Sequence, residues 1–112
     1  MISIDEIFDV LSSIDLKNRF GIAGSFARGT AKKSSDIDIV IDTDCLDIMV
    51  MEQIKSTLKS KFNRKSDVLC LDLLRQEDEK LDNLSCSLGL GKNENSAYKT
   101  ILRDVIWNNK IP

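Results

Sequence analysis

The sequence predicts a small α/β (α+β) domain in which a mixed β-sheet carries helices on one face. Its length of 112 residues suits one domain with a modest hydrophobic core. Apolar residues recur at helical spacing in three segments, and short β-like runs lie between them. The resulting order is helix, strand, turn, strand, helix, strand and helical tail. Because each amphipathic element must bury one face, this order predicts a sheet layered against helices.

The first helix has a clear start in the sequence. Ser3 and Glu6 have the spacing of a capping box, in which each side chain accepts a hydrogen bond from the other residue's backbone N–H. The apolar residues that follow recur at helical spacing: Ile4, Ile7, Phe8, Leu11 and Ile14. A polar break over residues 15–19 ends this helix.

The first strand runs into a turn of small residues. The apolar segment Phe20–Ala23 predicts a buried strand that leads directly into Gly24 and Ser25. Residues 26–31 then predict a brief helix that stops near Gly29. Glycine permits close approach of the backbone to a ligand, and serine offers a hydroxyl group. A turn of this kind at a helix start suits phosphate binding.

The second strand has two faces of opposite character. Residues 36–42 alternate between apolar and acidic side chains, and the period of two together with the β-branched residues predicts a strand. The core face carries Ile37, Ile39 and Ile41, and the other face carries Asp36, Asp38 and Asp42. We therefore expect Asp36 and Asp38 to project into one space, on a face that stays partly open.

The second half of the chain predicts a helix, a strand and a helical tail. Thr43 or Asp44 can cap a helix whose apolar stripe comprises Leu46, Met49, Val50, Ile54, Leu58 and Phe62. Residues 66–73 predict a strand, residues 76–84 a short polar helix and residues 85–95 a loop. Ser96 then caps a last helix with apolar residues at Tyr98, Ile101, Leu102, Val105 and Ile106. We expect one domain over residues 1–112, with a catalytic core at about 18–75 and a helical tail at about 96–109.

Composition and charge exclude several classes of protein. The net charge of −2 does not favour nucleic acid as a partner. The three scattered cysteines and the absence of histidine argue against a zinc site or a disulfide framework, and they fit a reducing cytosol. Acidic residues near the N-terminus exclude a signal peptide, and no apolar run is long enough to cross a membrane. We therefore expect a cytoplasmic protein. The lack of imidazole leaves a carboxylate, a metal-bound water or a side chain of a partner as catalytic base.

Basic residues cluster in one later segment. They are Lys55, Lys59, Lys61, Arg64 and Lys65. This pattern is typical of a solvated helix face with a basic C-terminal end, which complements the helix dipole.

One motif carries most of the functional information. Gly24-Ser25-x-Ala27-Arg28-Gly29 is followed by Ser35-Asp36-x-Asp38. This pattern resembles the defining motif of the DNA polymerase β-like nucleotidyltransferase superfamily. The chain looks most like the minimal nucleotidyltransferases (MNT), which pair with HEPN proteins in prokaryotic toxin–antitoxin systems. The motif covers residues 20–42, and the resemblance implies the polymerase β-like nucleotidyltransferase fold.

The resemblance implies a role for each matching residue. Asp36 and Asp38 would be catalytic and would bind two Mg²⁺ ions, for which Mn²⁺ could substitute. Gly24 and Ser25 would hold the triphosphate of ATP, the substrate. Arg28 matches the motif and would serve either as a nucleotide contact or as a structural ion pair.

A third carboxylate would complete the metal site and could accept the proton of the attacking hydroxyl. Asp67 is the candidate, because it opens a β-like run. Asp72 is the alternative, since Ser66 stands where the family usually has an apolar residue before this aspartate. Without metal, three carboxylates on one face would repel and raise each other's pKa.

The resemblance implies transfer of AMP from ATP to a tyrosine of a partner HEPN toxin, so that the chain acts as an antitoxin. One alternative is a weakly active or inactive MNT protein that neutralises its partner by binding alone. Another is a nucleotidyltransferase with a different acceptor, such as a small molecule or RNA. The chain offers no obvious acceptor domain, so another protein should hold the acceptor. Exposed residues of the last helix could pair with a second copy of the chain or with the toxin.

Overall fold

A four-stranded mixed sheet organises the domain. A computed structural model describes residues 2–14, 18–45, 47–91 and 96–108. The elements in chain order are α1 (Ile4–Leu11), β1 (Phe20–Ala23), α2 (Gly24–Arg28), β2 (Ile37–Ile41), α3 (Ile48–Phe62), β3 (Ser66–Cys70), α4 (Leu71–Ser87), α5 (Ala97–Asp104) and β4 (Ile106–Trp107). The strand order is β3-β2-β1-β4, with β2 parallel to β3 and β1 antiparallel to both of its neighbours. The predicted mixed α+β fold is confirmed. Among the described helices, none combines the length and apolar character that a membrane span requires.

The alternation of β2 gives the sheet a core face with the isoleucines and an opposite face that carries Asp38 and the buried Val40. Ile37 and Ile39 are fully buried. They pack in one cluster with residues of α1 and α3, among which Ile7, Leu11, Ile54 and Leu58 are also fully buried. This confirms the prediction that the isoleucines of β2 face helices, and it leaves the aspartates of the same strand on the opposite face.

The start of α1 follows the prediction. The Ser3 hydroxyl accepts a hydrogen bond from the Glu6 N–H at 3.1 Å, and the Glu6 carboxylate accepts one from the Ser3 N–H at 3.4 Å. The capping box therefore satisfies two backbone donors that would otherwise lack a partner.

The start of α3 differs from the prediction. The helix is capped by Asp47, whose carboxylate accepts a hydrogen bond from the Met49 N–H at 2.8 Å, and not by Thr43 or Asp44. The Thr43 hydroxyl instead accepts a bond from the Cys45 N–H at 3.2 Å, which forms a local turn and delays the helix. Met49 is 80% exposed, so its assignment to the buried stripe was wrong. Leu46, which was assigned to the same stripe, lies outside the described residues.

The helix α4 is longer than predicted. It begins directly after β3 at Leu71 and contains 17 residues, so it replaces the end of the predicted strand, the short polar helix and the start of the predicted loop. Arg75 donates to the carboxylates of Asp72 and Glu79, one helical turn away on either side. Such pairs at spacings of three and four favour a continuous helix. Residues 92–95 of the predicted loop lie outside the described residues.

The C-terminal segment contains a strand that was predicted as helix. α5 ends at Asp104, and the following residues form β4, which pairs with β1 through Gly21 and Trp107. Arg19 stacks on the Trp107 ring at 3.9 Å, and the Asn108 N–H donates to the Phe20 carbonyl at 2.9 Å. The helical pattern was ambiguous because a two-residue strand is too short to show a period of its own. Residue 109 of the predicted tail lies outside the described part of the chain.

Gly21 is expected to be essential for the pairing of β4. A Cβ atom at this position would lie 2.7 Å from the Ile106 carbonyl oxygen and 2.9 Å from the Val105 side chain. We predict that Gly21→Ala lowers the free energy of unfolding by about 1–3 kcal/mol and shifts the fluorescence of Trp107, the one tryptophan of the chain, to longer wavelength. As a control, Ser3→Ala should cost about 1 kcal/mol through the lost cap without changing native Trp107 emission. Unchanged stability and emission in Gly21→Ala would contradict the β1–β4 contact.

Candidate active site

Three strand ends bring the predicted site residues to one edge of the sheet. In the strand register, Ala23 at the end of β1 lies opposite Asp38, and Asp38 lies opposite Asp67 near the start of β3. Gly24 follows β1 directly, so it flanks Asp38 on the side opposite to Asp67. Asp36 immediately precedes β2 and has the same parity as Asp38. The sheet therefore places the small-residue turn and three carboxylates around the start of β2.

The turn after β1 requires glycine at its first position. Gly24 has a φ of 69°, in the left-handed region that side chains disfavour. A Cβ atom there would also collide with the carboxylate of Asp38. The turn is closed by Gly29, which ends α2 in the left-handed conformation, and by a 2.9 Å bond from the Thr30 N–H to the Ser25 carbonyl. The backbone at Gly24 is thereby held against the carboxylate side of β2.

The surroundings of Asp38 make it the electrostatic centre of this group. Partial burial raises its pKa from the ordinary value of 3.8, and the negative charges of Asp67 and Asp36 raise it further. The positive charge of Arg28 opposes the increase. This agrees with the repulsion expected of like charges on one face, and it means that a bound cation would be favoured there.

Arg28 forms an ion pair with α5. Its guanidinium lies 3.2 Å from the carboxylate of Asp104, and about half of its side chain is exposed. Of the two roles left open by the sequence, this contact provides the structural one, since it ties α2 to the C-terminal helix. The guanidinium also remains close enough to act on the charge of Asp38.

The two alternatives for the third carboxylate lie at opposite ends of β3. Asp67 is the register partner of Asp38, whereas Asp72 follows the strand and belongs to the first turn of α4. Asp72 accepts hydrogen bonds from Arg75 and Gln76, and these bonds hold its pKa below the ordinary value. The structure thus brings Asp67, and not Asp72, to Asp38.

The carboxylates suit a hard cation without forming a closed cage. Within residues 2–14, 18–45, 47–91 and 96–108, no three acidic, histidine or cysteine side chains converge closely enough to hold a metal ion together. Mg²⁺, however, is usually bound by one or two carboxylates, with substrate phosphates and waters as its other ligands. The oxygen donors of Asp36 and Asp38 fit that type of site, because both lie at the edge where Gly24 opens the turn.

Sequence reasoning missed the residue that fixes the loop before Asp36. Arg64 donates from one guanidinium nitrogen to the carbonyls of Lys32 at 3.0 Å and Ser35 at 2.9 Å. The Ser35 hydroxyl in turn accepts a bond from the Lys32 N–H at 2.7 Å. Arg64 had been assigned to the basic end of a solvated helix, and its spacing carries no signal of this long-range contact.

A family model described as a nucleotidyltransferase domain matches residues 4–85, which include every strand and turn of the site. The chain belongs to the nucleotidyltransferase family. It is also 31% identical over 115 aligned positions to the protein adenylyltransferase MntA of Thermococcus cleftensis (strain DSM 27260 / KACC 17922 / CL1), with 96% of this chain and 97% of that protein covered. The resemblance to minimal nucleotidyltransferases is thereby confirmed.

Solved structures share the fold of this nucleotidyltransferase. A crystal structure of a toxin–antitoxin with AMP-PNP has 25% identity and a TM-score of 0.51, and the match covers 62% of this chain and 58% of that chain. This chain therefore spans less than two thirds of the length of that relative. Two structures of MntA–HpeT toxin–antitoxin variants have TM-scores of 0.55 and 0.58 at 14% and 17% identity, and they cover 95% and 96% of this chain. At these identities the likeness concerns the fold alone.

We predict that Mg²⁺ raises the melting temperature of the protein and that Gly24→Ala abolishes this increase, because the new Cβ would displace the Asp38 carboxylate. The matched control is Gly29→Ala, which has a similar φ of 75° but open space around it. Both variants should lose about 1 kcal/mol of stability through backbone strain. Thermal unfolding with and without Mg²⁺ and an ATP analogue measures the difference. A Gly24→Ala protein that is stabilised by Mg²⁺ as much as Gly29→Ala would contradict this geometry.

The raised pKa of Asp38 also predicts a pH dependence in the absence of metal. The native state binds the Asp38 proton more tightly than the unfolded state, so stability falls as pH rises from 3.8 through the raised native value. Asp38→Asn has no carboxyl group at this position, so it lacks this pH-dependent loss of stability. The variant should therefore be more stable than the original protein at neutral pH, and the gap should close below pH 3.8. Urea unfolding across this range in chelator tests the prediction, with Asp44→Asn in the exposed loop before α3 as the control. An equal gap at all pH values would refute it.

Proposed function

We propose that this nucleotidyltransferase is a Mg²⁺-dependent protein adenylyltransferase that transfers AMP from ATP to a tyrosine hydroxyl of a HEPN-type toxin. One observation supports the proposal most strongly: Gly24, Asp38 and Asp67 lie side by side at one sheet edge. The chain that carries this edge is related over nearly its whole length to a protein adenylyltransferase. As an antitoxin, it would block its partner by covalent modification in the cytoplasm.

The proposed reaction is an in-line displacement at the α-phosphorus of ATP. The acceptor oxygen attacks the α-phosphorus, the bond from this atom to the oxygen bridging to the β-phosphate breaks, and pyrophosphate leaves. When bound, Mg²⁺ would neutralise phosphate charge and stabilise the attacking and leaving oxygens. Asp36 and Asp38 would hold the ions, while Gly24 and Ser25 would receive the triphosphate.

The hydroxyl proton needs an acceptor within the site. Since the sequence contains no histidine, a carboxylate is the natural base. Asp67 is our candidate because it is adjacent to Asp38 and exposed. Its position on the side of Asp38 that is opposite Gly24 would place it next to an entering hydroxyl and away from the leaving pyrophosphate.

The partner is proposed from the relatives. Structural neighbours of this chain come from toxin–antitoxin structures, one of which was solved with AMP-PNP. A toxin that presents its own tyrosine would supply the acceptor hydroxyl. ATP is the proposed donor because the curated relative is an adenylyltransferase.

Neutralisation by binding alone is the second candidate. The observation that favours it is that the three carboxylates do not converge into a metal cluster in the described part of the chain. A protein that only masks its partner would need the fold and its surface, and it would not need the carboxylates.

Labelled ATP tests the proposal directly. Tagged protein would be recovered from its native host and incubated with Mg²⁺ and ATP labelled on the α-phosphate. We predict label on a co-purifying protein and at least a ~100-fold loss with Asp67→Asn, as expected on removal of a general base. Asp36→Ala/Asp38→Ala should abolish labelling.

Asp38→Asn separates the two candidate functions. This nearly isosteric change should leave the partner bound in both cases. An enzyme would lose labelling and protection against the toxin together. A partner that co-purifies without label, and against which Asp38→Asn protects fully, would overturn the proposal in favour of masking.

A further inference from the structure

A basic cavity lies next to the carboxylate edge. It has a volume of about 240 Å³ and is lined by Asp36, Lys55, Lys59, Arg64, Lys65, Ser66 and Asp67. The lining comes from the loop before β2, from α3, from the segment between α3 and β3, and from the start of β3. The lining therefore contains four cationic residues and two acidic ones. The sequence predicted a solvated basic face here, but the fold gathers four of its five cations around this opening and leaves Lys61 outside.

Ser66 is the buried polar residue of the cavity lining. The residue is 9% exposed, and its hydroxyl is buried without a hydrogen-bond partner among the described residues. Buried hydroxyl groups normally form a hydrogen bond, because a buried hydroxyl without a partner has lost its hydrogen bonds to water and regained none. An oxyanion bound among the lysines would accept a hydrogen bond from this hydroxyl.

The position of the cavity relates it to the acceptor. In the proposed reaction, pyrophosphate leaves toward Gly24 and Ser25, on the β1 side of Asp38. In-line displacement requires the attacking hydroxyl to enter from the opposite side, where Asp67 and the cavity lie. This assignment of the cavity to the acceptor side rests on the proposed function.

We propose that this cavity binds acidic side chains that flank the acceptor hydroxyl on the partner protein. Carboxylates of the partner would form ion pairs with Lys55, Lys59 and Lys65 and would accept a hydrogen bond from the Ser66 hydroxyl. A nucleic acid strand fits less well, because it carries a phosphate at every nucleotide and needs an extended basic groove. Here the cations converge on one opening of a chain whose net charge is −2. The charge pattern therefore favours a small group of acidic side chains next to the acceptor tyrosine of the partner.

Short peptides test this subsite with the full chain. In one peptide a tyrosine is flanked by glutamates, and in the other by glutamines. Amide chemical shifts of Lys65 and Ser66 would be followed during titration in chelator, without ATP. The glutamate peptide should shift these signals and bind at least about tenfold more tightly than the glutamine peptide. Lys59→Gln/Lys65→Gln should lose this preference, whereas Lys61→Gln, on the same helix but outside the lining, should retain it.

A second substitution should change the affinity for the glutamate peptide in the opposite direction. Asp67→Asn removes a negative charge from the lining, so it should tighten binding of the glutamate peptide. Equal affinities for the two peptides, an unchanged preference in Lys59→Gln/Lys65→Gln, or weaker binding in Asp67→Asn would overturn the proposal. So would tighter binding of a single-stranded oligonucleotide of equal charge at the same amides. Because these titrations involve no transfer, their failure is distinguishable from failure of the labelling experiment.

Discussion

The two-residue period of β2 is the constraint on which the rest of the structure depends. One strand supplies fully buried isoleucines to the core and, from the opposite face, Asp38 to the candidate site. A shift of one residue in its pairing would exchange these faces, exposing the isoleucines and burying the charges. Core stability and site geometry are therefore specified by the same hydrogen-bonded register. This register also leaves the ionised form of Asp38 destabilised, because the side chain is partly buried among like charges. A cation at this edge would stabilise the ionised form.

Much of this arrangement could be predicted from the sequence because it is encoded locally. The capping box of α1, the limits of β1, the turn at Gly24 and the alternation of β2 all depend on residues close to one another in the chain. Each also has a direct physical signature, such as a cap, a glycine with positive φ or a period of two. The motif Gly24 to Asp38 was informative for the same reason, since its members meet through adjacent elements.

What could not be predicted depends on contacts between distant parts of the chain. The pairing of β4 with β1 replaces a helical end by a strand, and Gly21 makes room for it across more than eighty residues of sequence. The choice of Asp67 over Asp72 required the β2–β3 register, which a single strand pattern does not contain. Arg64 shows the same limit, because its hydrogen bonds to Lys32 and Ser35 bridge two loops. Neither the length of α4 nor the late start of α3 could be read from apolar spacing alone, since side-chain bonds at Asp72 and Thr43 decide them.

We propose that the start of β2 and its neighbours form one cation and nucleotide site. Paramagnetic broadening of amide signals by substoichiometric Mn²⁺, with a non-hydrolysable ATP analogue present, measures the location of the bound ion directly. We predict that the strongest broadening centres on Gly24, Asp38 and Asp67, and that the effect at Asp72 is much weaker. Broadening centred instead on the acidic face of α4, where Asp78 and Asp82 are paired with Lys99, would contradict it. Absence of any localised broadening would contradict it equally.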